Sequence, residues 1–84
     1  MYDHDTMDGD PTEPRRRSFR LSGHRTSLSL ERAFWGALKD IANADGRTMT
    51  SIIEEVDETR TGGLTSAVRV YILEQLRHQR RNQG

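Results

Sequence analysis

Hydrophobic and polar residues alternate with a period of two along the segment from residue 18 to residue 30. The apolar members of this pattern are Phe19, Leu21, Thr26, Leu28 and Leu30. Their phase changes across Gly23, which predicts a bulge or bend, because one inserted residue moves all following side chains to the opposite face. The segment from His24 to Leu30 is therefore predicted to be a strand with one apolar and one polar face.

The remainder of the chain has the spacing of amphipathic helices. A first helix is predicted from Glu31 to Ala44 and ends at Asp45-Gly46, since glycine easily adopts the left-handed conformation that closes a helix. A second helix follows with Thr48 as its N-cap. After Thr61-Gly62-Gly63, a third helix capped by Thr65 is expected to run to about Arg80.

The predicted strand needs a hydrogen-bonding partner, and the pattern shows no clear second strand of matching phase. The simplest partner is the same strand of another copy. A chain of 84 residues with 32% hydrophobic residues also buries only a marginal core alone. We therefore expect a mostly α-helical chain with one N-terminal strand, in an intertwined homodimer with an intermolecular two-stranded antiparallel ribbon. The predicted dimer core comprises Leu28, Leu30, Phe34, Trp35, Leu38, Ile41, Ile52, Ile53 and Val56.

The formal net charge of zero conceals a separation of charge along the chain. Residues 1–14 contain five acidic residues and no lysine or arginine, and are expected to be disordered. Residues 15–30 contain five arginines and no acid, a field that attracts phosphate. We consider two hypotheses for the acidic tail: a tethered mimic of DNA that competes with non-specific binding, or a passive aid to solubility.

Several classes of protein are not expected. The chain has no cysteine, which excludes disulfides and thiolate metal sites, and no recognisable catalytic constellation or metal-ligand spacing. We therefore predict no enzyme activity, no metal and no cofactor. Because no long apolar run or signal-like segment is present, we expect a soluble, cytoplasmic protein without a membrane partner.

Four segments together resemble a known family: the strand HRTSLSL, the helix end ANADG, the tight GRT link and the second-helix start RTMTSIIEEV. They are similar to the bacterial ribbon-helix-helix family of the Arc and methionine repressors, in particular to short stand-alone members with an added third helix. The corresponding division is a tail and basic linker at residues 1–17, the ribbon-helix-helix domain at residues 18–60 and a helical extension at residues 61–84. The resemblance implies a regulator of transcription, expected to be a repressor, whose dimeric ribbon enters the major groove of double-stranded DNA.

The polar face of the strand supplies the predicted base contacts, which are Arg25, Ser27 and Ser29. The resemblance places phosphate contacts at the start of the second helix, and the nearby basic residues extend the set. The predicted phosphate-contacting residues are Arg20, His24, Arg47, Thr48, Met49 and Thr50. An antitoxin-like or adaptor module, which binds a protein through its third helix or tails, is the alternative. Association of dimers through the third helix also stays open.

Overall fold

The computed structural model describes residues 9–83 and has a two-stranded antiparallel sheet followed by three helices. The elements are β1 (Pro14–Leu21), β2 (His24–Glu31), α1 (Arg32–Asp45), α2 (Met49–Thr59) and α3 (Leu64–Gln83). A strand ribbon followed by helices confirms the predicted fold class. Most of the predicted acidic tail, residues 1–8, lies outside the described residues.

The hairpin corrects the prediction of one N-terminal strand without a partner in its own chain, whereas strand pairing between two chains stays a prediction. β2 pairs with β1 of the same chain, from Leu21 opposite His24 to Pro14 opposite Glu31. Alternation of apolar and polar residues does not extend through the whole of β1, because three consecutive arginines occupy residues 15–17. Residues 14–17, predicted to be linker, therefore belong to the ribbon.

The two strands are joined by the two-residue turn Ser22-Gly23, where a bulge or bend was predicted. Both residues have positive φ, 49° for Ser22 and 87° for Gly23, which is the requirement of a type I′ hairpin turn. The amide of Ser22 donates a 2.8 Å hydrogen bond to the Glu54 carboxylate on α2. This bond fixes the turn of the hairpin against the helical layer.

One apolar core lies between the hairpin and the three helices. Of the nine residues predicted to form it, all are buried except Phe34, which is partly buried. Leu28 and Leu30 are only 2% and 0% exposed within a single chain. Burial of these side chains therefore does not require a second subunit, and their place in a dimer interface stays a prediction.

The third helix is part of this core, since its Val68 and Ile72 are 0% and 1% exposed. Through these two side chains α3 packs with the ribbon and the first two helices, so the predicted extension contributes to the common core. Arg69 on the same helix forms a two-pronged ion pair with Glu31, at the end of β2, with N–O distances of 3.0 to 3.1 Å. The ion pair joins α3 to the end of the ribbon.

The ends of the first helix differ in how they are capped. At its start, the amides of Arg32 and Ala33 donate to the backbone carbonyls of Glu13 and Pro11, at 2.9 and 3.0 Å. The segment just before β1, predicted to be disordered, thus satisfies backbone groups that a helix start leaves open. At its end, Gly46 has φ 66°, the left-handed conformation that was predicted.

The cap predicted for α2 is confirmed, and the cap predicted for α3 is wrong. The Thr48 hydroxyl accepts a 3.0 Å hydrogen bond from the amide of Ser51. Thr65 lies inside α3, which begins at Leu64, and the carbonyl of Gly63 accepts from the amide of Ala67. The helix therefore begins before the threonine that was predicted to cap it.

Candidate nucleic-acid interface

The hairpin has one face on the core and one face in solvent. Leu21, Leu28 and Leu30 mark the core face, because alternate side chains of a strand share a face and all three are buried. The cross-strand pairs on the opposite face are Arg16 with Ser29, Ser18 with Ser27, and Arg20 with Arg25. All six side chains are exposed. We call these six residues the outer ribbon face.

The outer ribbon face is basic and polar along its whole length. It contains three arginines, three serines and no acid. At its centre, the hydroxyls of Ser18 and Ser27 lie 3.3 Å apart and form a hydrogen bond. Arg20 and Arg25 lie directly opposite each other, and like charges in such a pair repel. The face therefore favours a negatively charged partner with hydrogen-bonding groups.

The start of α2 offers a second set of donors. Thr48 uses its side-chain oxygen to cap the amide of Ser51. Within the part of the chain that the structure describes, the amides of Met49 and Thr50 have no acceptor, as is usual for the first turn of a helix. Two backbone amides at the positive end of a helix dipole can hold an anion such as phosphate.

Comparison with known proteins decides the family. A ribbon-helix-helix domain matches residues 14–76, which cover both strands, the first two helices and most of α3. The chain belongs to the ribbon-helix-helix family. Domains of this family bind DNA and dimerise, and the fold is not that of an enzyme.

A solved structure supports the same fold. It is that of an uncharacterized protein from Bordetella pertussis Tohama I, which matches with a TM-score of 0.73 and 28% sequence identity. The match covers 96% of this chain and 71% of that chain, so the described elements of this ribbon-helix-helix protein have counterparts within it. A search of curated proteins finds no match.

The predicted base-contacting residues of this ribbon-helix-helix domain occupy one surface. Arg25, Ser27 and Ser29 are all exposed on the outer ribbon face. The structure adds three residues that the prediction did not place beside them: Arg16 and Ser18 from β1, and Arg20, which was predicted to contact phosphate only. Phe19 and Leu21 alternate with Ser18 and Arg20 in the sequence, but Arg15 and Arg17 break this alternation in the first half of β1.

Two of the predicted phosphate contacts lie off the outer ribbon face. His24 is on the core side of the hairpin, because it is paired with the buried Leu21. Arg47 points along α2: its guanidinium lies 2.7 Å from the Glu55 carboxylate and donates to the hydroxyl and carbonyl of Ser51. Neither side chain joins the outer ribbon face.

The start of α2 approaches the first half of β1 and not the turn of the hairpin. Arg47, Thr48 and Met49 line one cavity together with residues 15–17 of β1. Arg20 and His24, at the other end of the hairpin, do not line it. The predicted phosphate contacts therefore form two separate groups on the molecule.

No helix within residues 9–83 is long and apolar enough to cross a membrane. Over the same described range, no group of three histidine, cysteine, aspartate or glutamate side chains is placed to hold a metal ion.

Proposed function

We propose that this protein is a sequence-specific, DNA-binding regulator of transcription, and that it represses its targets. The observation that carries the proposal is the outer ribbon face, with three arginines and three serines exposed on one side of a hairpin and no acid among them. The protein acts in the cytoplasm of a bacterium, with no cofactor and no catalytic step.

The residue types of the outer ribbon face suit base contacts in the major groove. Arginine donates two hydrogen bonds to the O6 and N7 atoms of guanine, and serine contacts either kind of base pair. Arg25 is the main base-contacting residue in this proposal. Ser27 and Ser29 are short, so they approach the base edges closely or act through ordered water.

A homodimer follows from the free edge of β2. In a two-residue hairpin the pair flanking the turn is hydrogen-bonded, and bonded and non-bonded pairs then alternate. The backbone groups of Arg25, Ser27 and Ser29 therefore point away from β1. An identical edge of a second copy can pair with them about a two-fold axis, which gives a four-stranded sheet with β2 and its symmetry mate at the centre.

This arrangement assigns different contacts to the two strands. The major groove is about 12 Å wide, and neighbouring strands lie about 4.8 Å apart, so only the two central strands fit within it. Arg25, Ser27 and Ser29 of β2 then face the bases. Arg16 and Arg20 of β1 lie over the groove edges, where they contact phosphates, and the amides of Met49 and Thr50 hold further phosphates.

The test is the salt dependence of binding to duplex DNA, measured by fluorescence anisotropy with the full chain. Phosphate neutralisation predicts a negative slope of log K against log salt, by about 0.9 for each phosphate contacted. The triple variant Arg16→Gln, Arg20→Gln and Arg25→Gln should reduce the slope. The control is a triple variant on α3 that removes the same charge, with glutamine in place of Arg77, Arg80 and Arg81. It should leave the slope unchanged. Absence of a salt-dependent interaction would reject DNA binding.

One observation favours the alternative, an antitoxin-like or adaptor module. Val70, Leu73 and Leu76 on α3 are 52%, 49% and 42% exposed, which is unusual for side chains of this size. An adaptor that binds only protein through α3 gives no shift with duplex DNA, so the same titration separates the two functions. The same exposed apolar side chains of α3 could also join two dimers.

A further inference from the structure

A basic cavity lies beside the ribbon, between the first half of β1, one side of α1 and the start of α2. Its volume is about 660 Å³, within the usual range for sites that bind small ligands. Six cationic residues line it: Arg15, Arg16, Arg17, Arg32, Lys39 and Arg47. Among residues 9–83, no acidic residue lines it.

The positive charge of this cavity is only partly compensated by neighbouring residues. Arg47 is paired with Glu55 at 2.7 Å, whereas Arg15 approaches Glu13 only to 3.7 Å, with both side chains about half exposed. Within residues 9–83, Arg16 and Lys39 have no ion-pair partner. Several like charges around one cavity repel each other, and a multivalent anion would relieve that repulsion.

The floor of the cavity adds groups that suit such an anion. The indole of Trp35 lies there, and the Arg17 guanidinium sits 5.3 Å from the centre of its ring. This contact holds the guanidinium over a rigid surface, which orients its donors. At the α2 end, Thr48 and Met49 bring the positive end of the helix dipole to the cavity wall.

We propose that the basic cavity binds a compact, multivalent phosphate anion, such as the polyphosphate group of a nucleotide. Its phosphates are held by Arg16, Arg17 and Lys39 and by the amide end of α2. Because Arg16 belongs to both the cavity and the outer ribbon face, an anion bound here competes with phosphates of DNA for that side chain. The cavity thus gives a route for a small ligand to weaken DNA binding, a consequence that rests on the proposed function.

The binding itself can be tested without DNA, because Trp35 is the only tryptophan of the chain. Sodium tripolyphosphate is titrated at constant ionic strength while the tryptophan fluorescence is recorded. A saturable change is expected. Lys39→Gln should weaken the apparent affinity about threefold or more, since it removes one positive charge from the site. Arg77→Gln, which removes an exposed charge on α3, should leave it unchanged. No saturable change, or an equal affinity in the Lys39→Gln variant, would overturn the proposal.

A second arm identifies the source of the phosphate, since the DNA backbone carries the same chemistry. Random duplex is titrated in place of tripolyphosphate, with the parent and the Lys39→Gln variant. A Lys39-dependent change with duplex and none with tripolyphosphate would assign the cavity to the DNA backbone and overturn the small-anion site. Arg25→Ala should weaken binding to duplex and leave the tripolyphosphate affinity unchanged, so loss of DNA binding and loss of the anion site are distinguishable.

Discussion

The indole N–H of Trp35 donates a 2.9 Å hydrogen bond to the backbone carbonyl of Arg15. This bond connects the first helix to the strand that the sequence pattern did not reveal. Phe19, further along β1, stacks on the same indole with ring centres 5.8 Å apart. One buried side chain thus holds β1 in place from beneath, and the position of the outer ribbon face depends on it.

Replacement of Trp35 by phenylalanine should therefore destabilise the fold. The variant loses one hydrogen bond and part of the buried ring, at a cost of about 1–2 kcal/mol. Urea unfolding followed by circular dichroism measures the difference. Lys39→Gln, an exposed change in the same helix, should alter stability by less than about 0.5 kcal/mol. Equal unfolding midpoints for the parent and Trp35→Phe would show that the indole does not secure β1.

The Glu31 and Arg69 pair should make stability depend on pH. The Glu31 carboxylate accepts hydrogen bonds from its own backbone amide and from the Arg69 guanidinium. These bonds hold the pKa of Glu31 below its ordinary value of 4.5. Because the folded state favours the charged form, this contribution is complete above pH 4.5 and is lost as the pH falls below it. Glu31→Gln should lower the melting temperature at pH 7.

The difference in melting temperature between the parent and Glu31→Gln should shrink toward zero in strong acid, because Glu31 of the parent is then also neutral. Thermal unfolding at a series of pH values from neutral to acid measures it. Glu58→Gln, an exposed change on α2, serves as the matched control and should show no such convergence. A pH-independent difference would mean that the charge of Glu31 does not contribute.

The proposed dimer can be tested with proline on either edge of the hairpin. The amides of Ser18 and Ser27 both point away from the partner strand within the chain. Ser27→Pro removes a donor from the outer edge of β2 and should lower the dimer fraction in sedimentation. Ser18→Pro makes the same change on the outer edge of β1 and should leave the dimer intact. Equal effects of both variants would contradict pairing through β2.

Arg25 and Arg20 should affect DNA binding in different ways, although they face each other across the hairpin. Arg25→Ala should cost about 1–3 kcal/mol against a preferred site and reduce discrimination between sequences. Arg20→Ala should weaken binding about equally for all sequences and reduce the salt slope by about 1. Anisotropy titrations with preferred and random duplexes measure both. If Arg25→Ala kept the selectivity of the parent, Arg25 would not be a base-contacting residue.

The helical part of the fold could be predicted because its signals are local. Thr48 caps α2 and Gly46 ends α1 through hydrogen bonds and dihedral angles that depend on a few neighbouring residues. The first strand could not be predicted in the same way. Arg15 and Arg17 are on the core side of β1, where the alternation rule expects apolar residues, and their long side chains reach solvent from there.

The residues of the candidate site could be grouped from the sequence only where a single strand defines them. Ser27 and Ser29 follow from the alternation of β2 alone, and the structure places both on the outer ribbon face. The basic cavity depends on residues 15–17, α1 and the start of α2 coming together, which is a tertiary arrangement. Lys39, on an exposed side of a helix, gives no sign in the sequence that it belongs with arginines more than twenty residues away.

The turn at Ser22-Gly23 determines how the outer ribbon face is assembled. A ribbon made from two chains forms only when the chains meet, so its amount falls steeply on dilution. Here the two strands are neighbours along one chain, and such hairpins close within about 1–10 microseconds. The arginines and serines of the outer ribbon face are consequently arranged within each newly made molecule, and in the proposed dimer only the pairing of β2 with its symmetry mate depends on protein concentration.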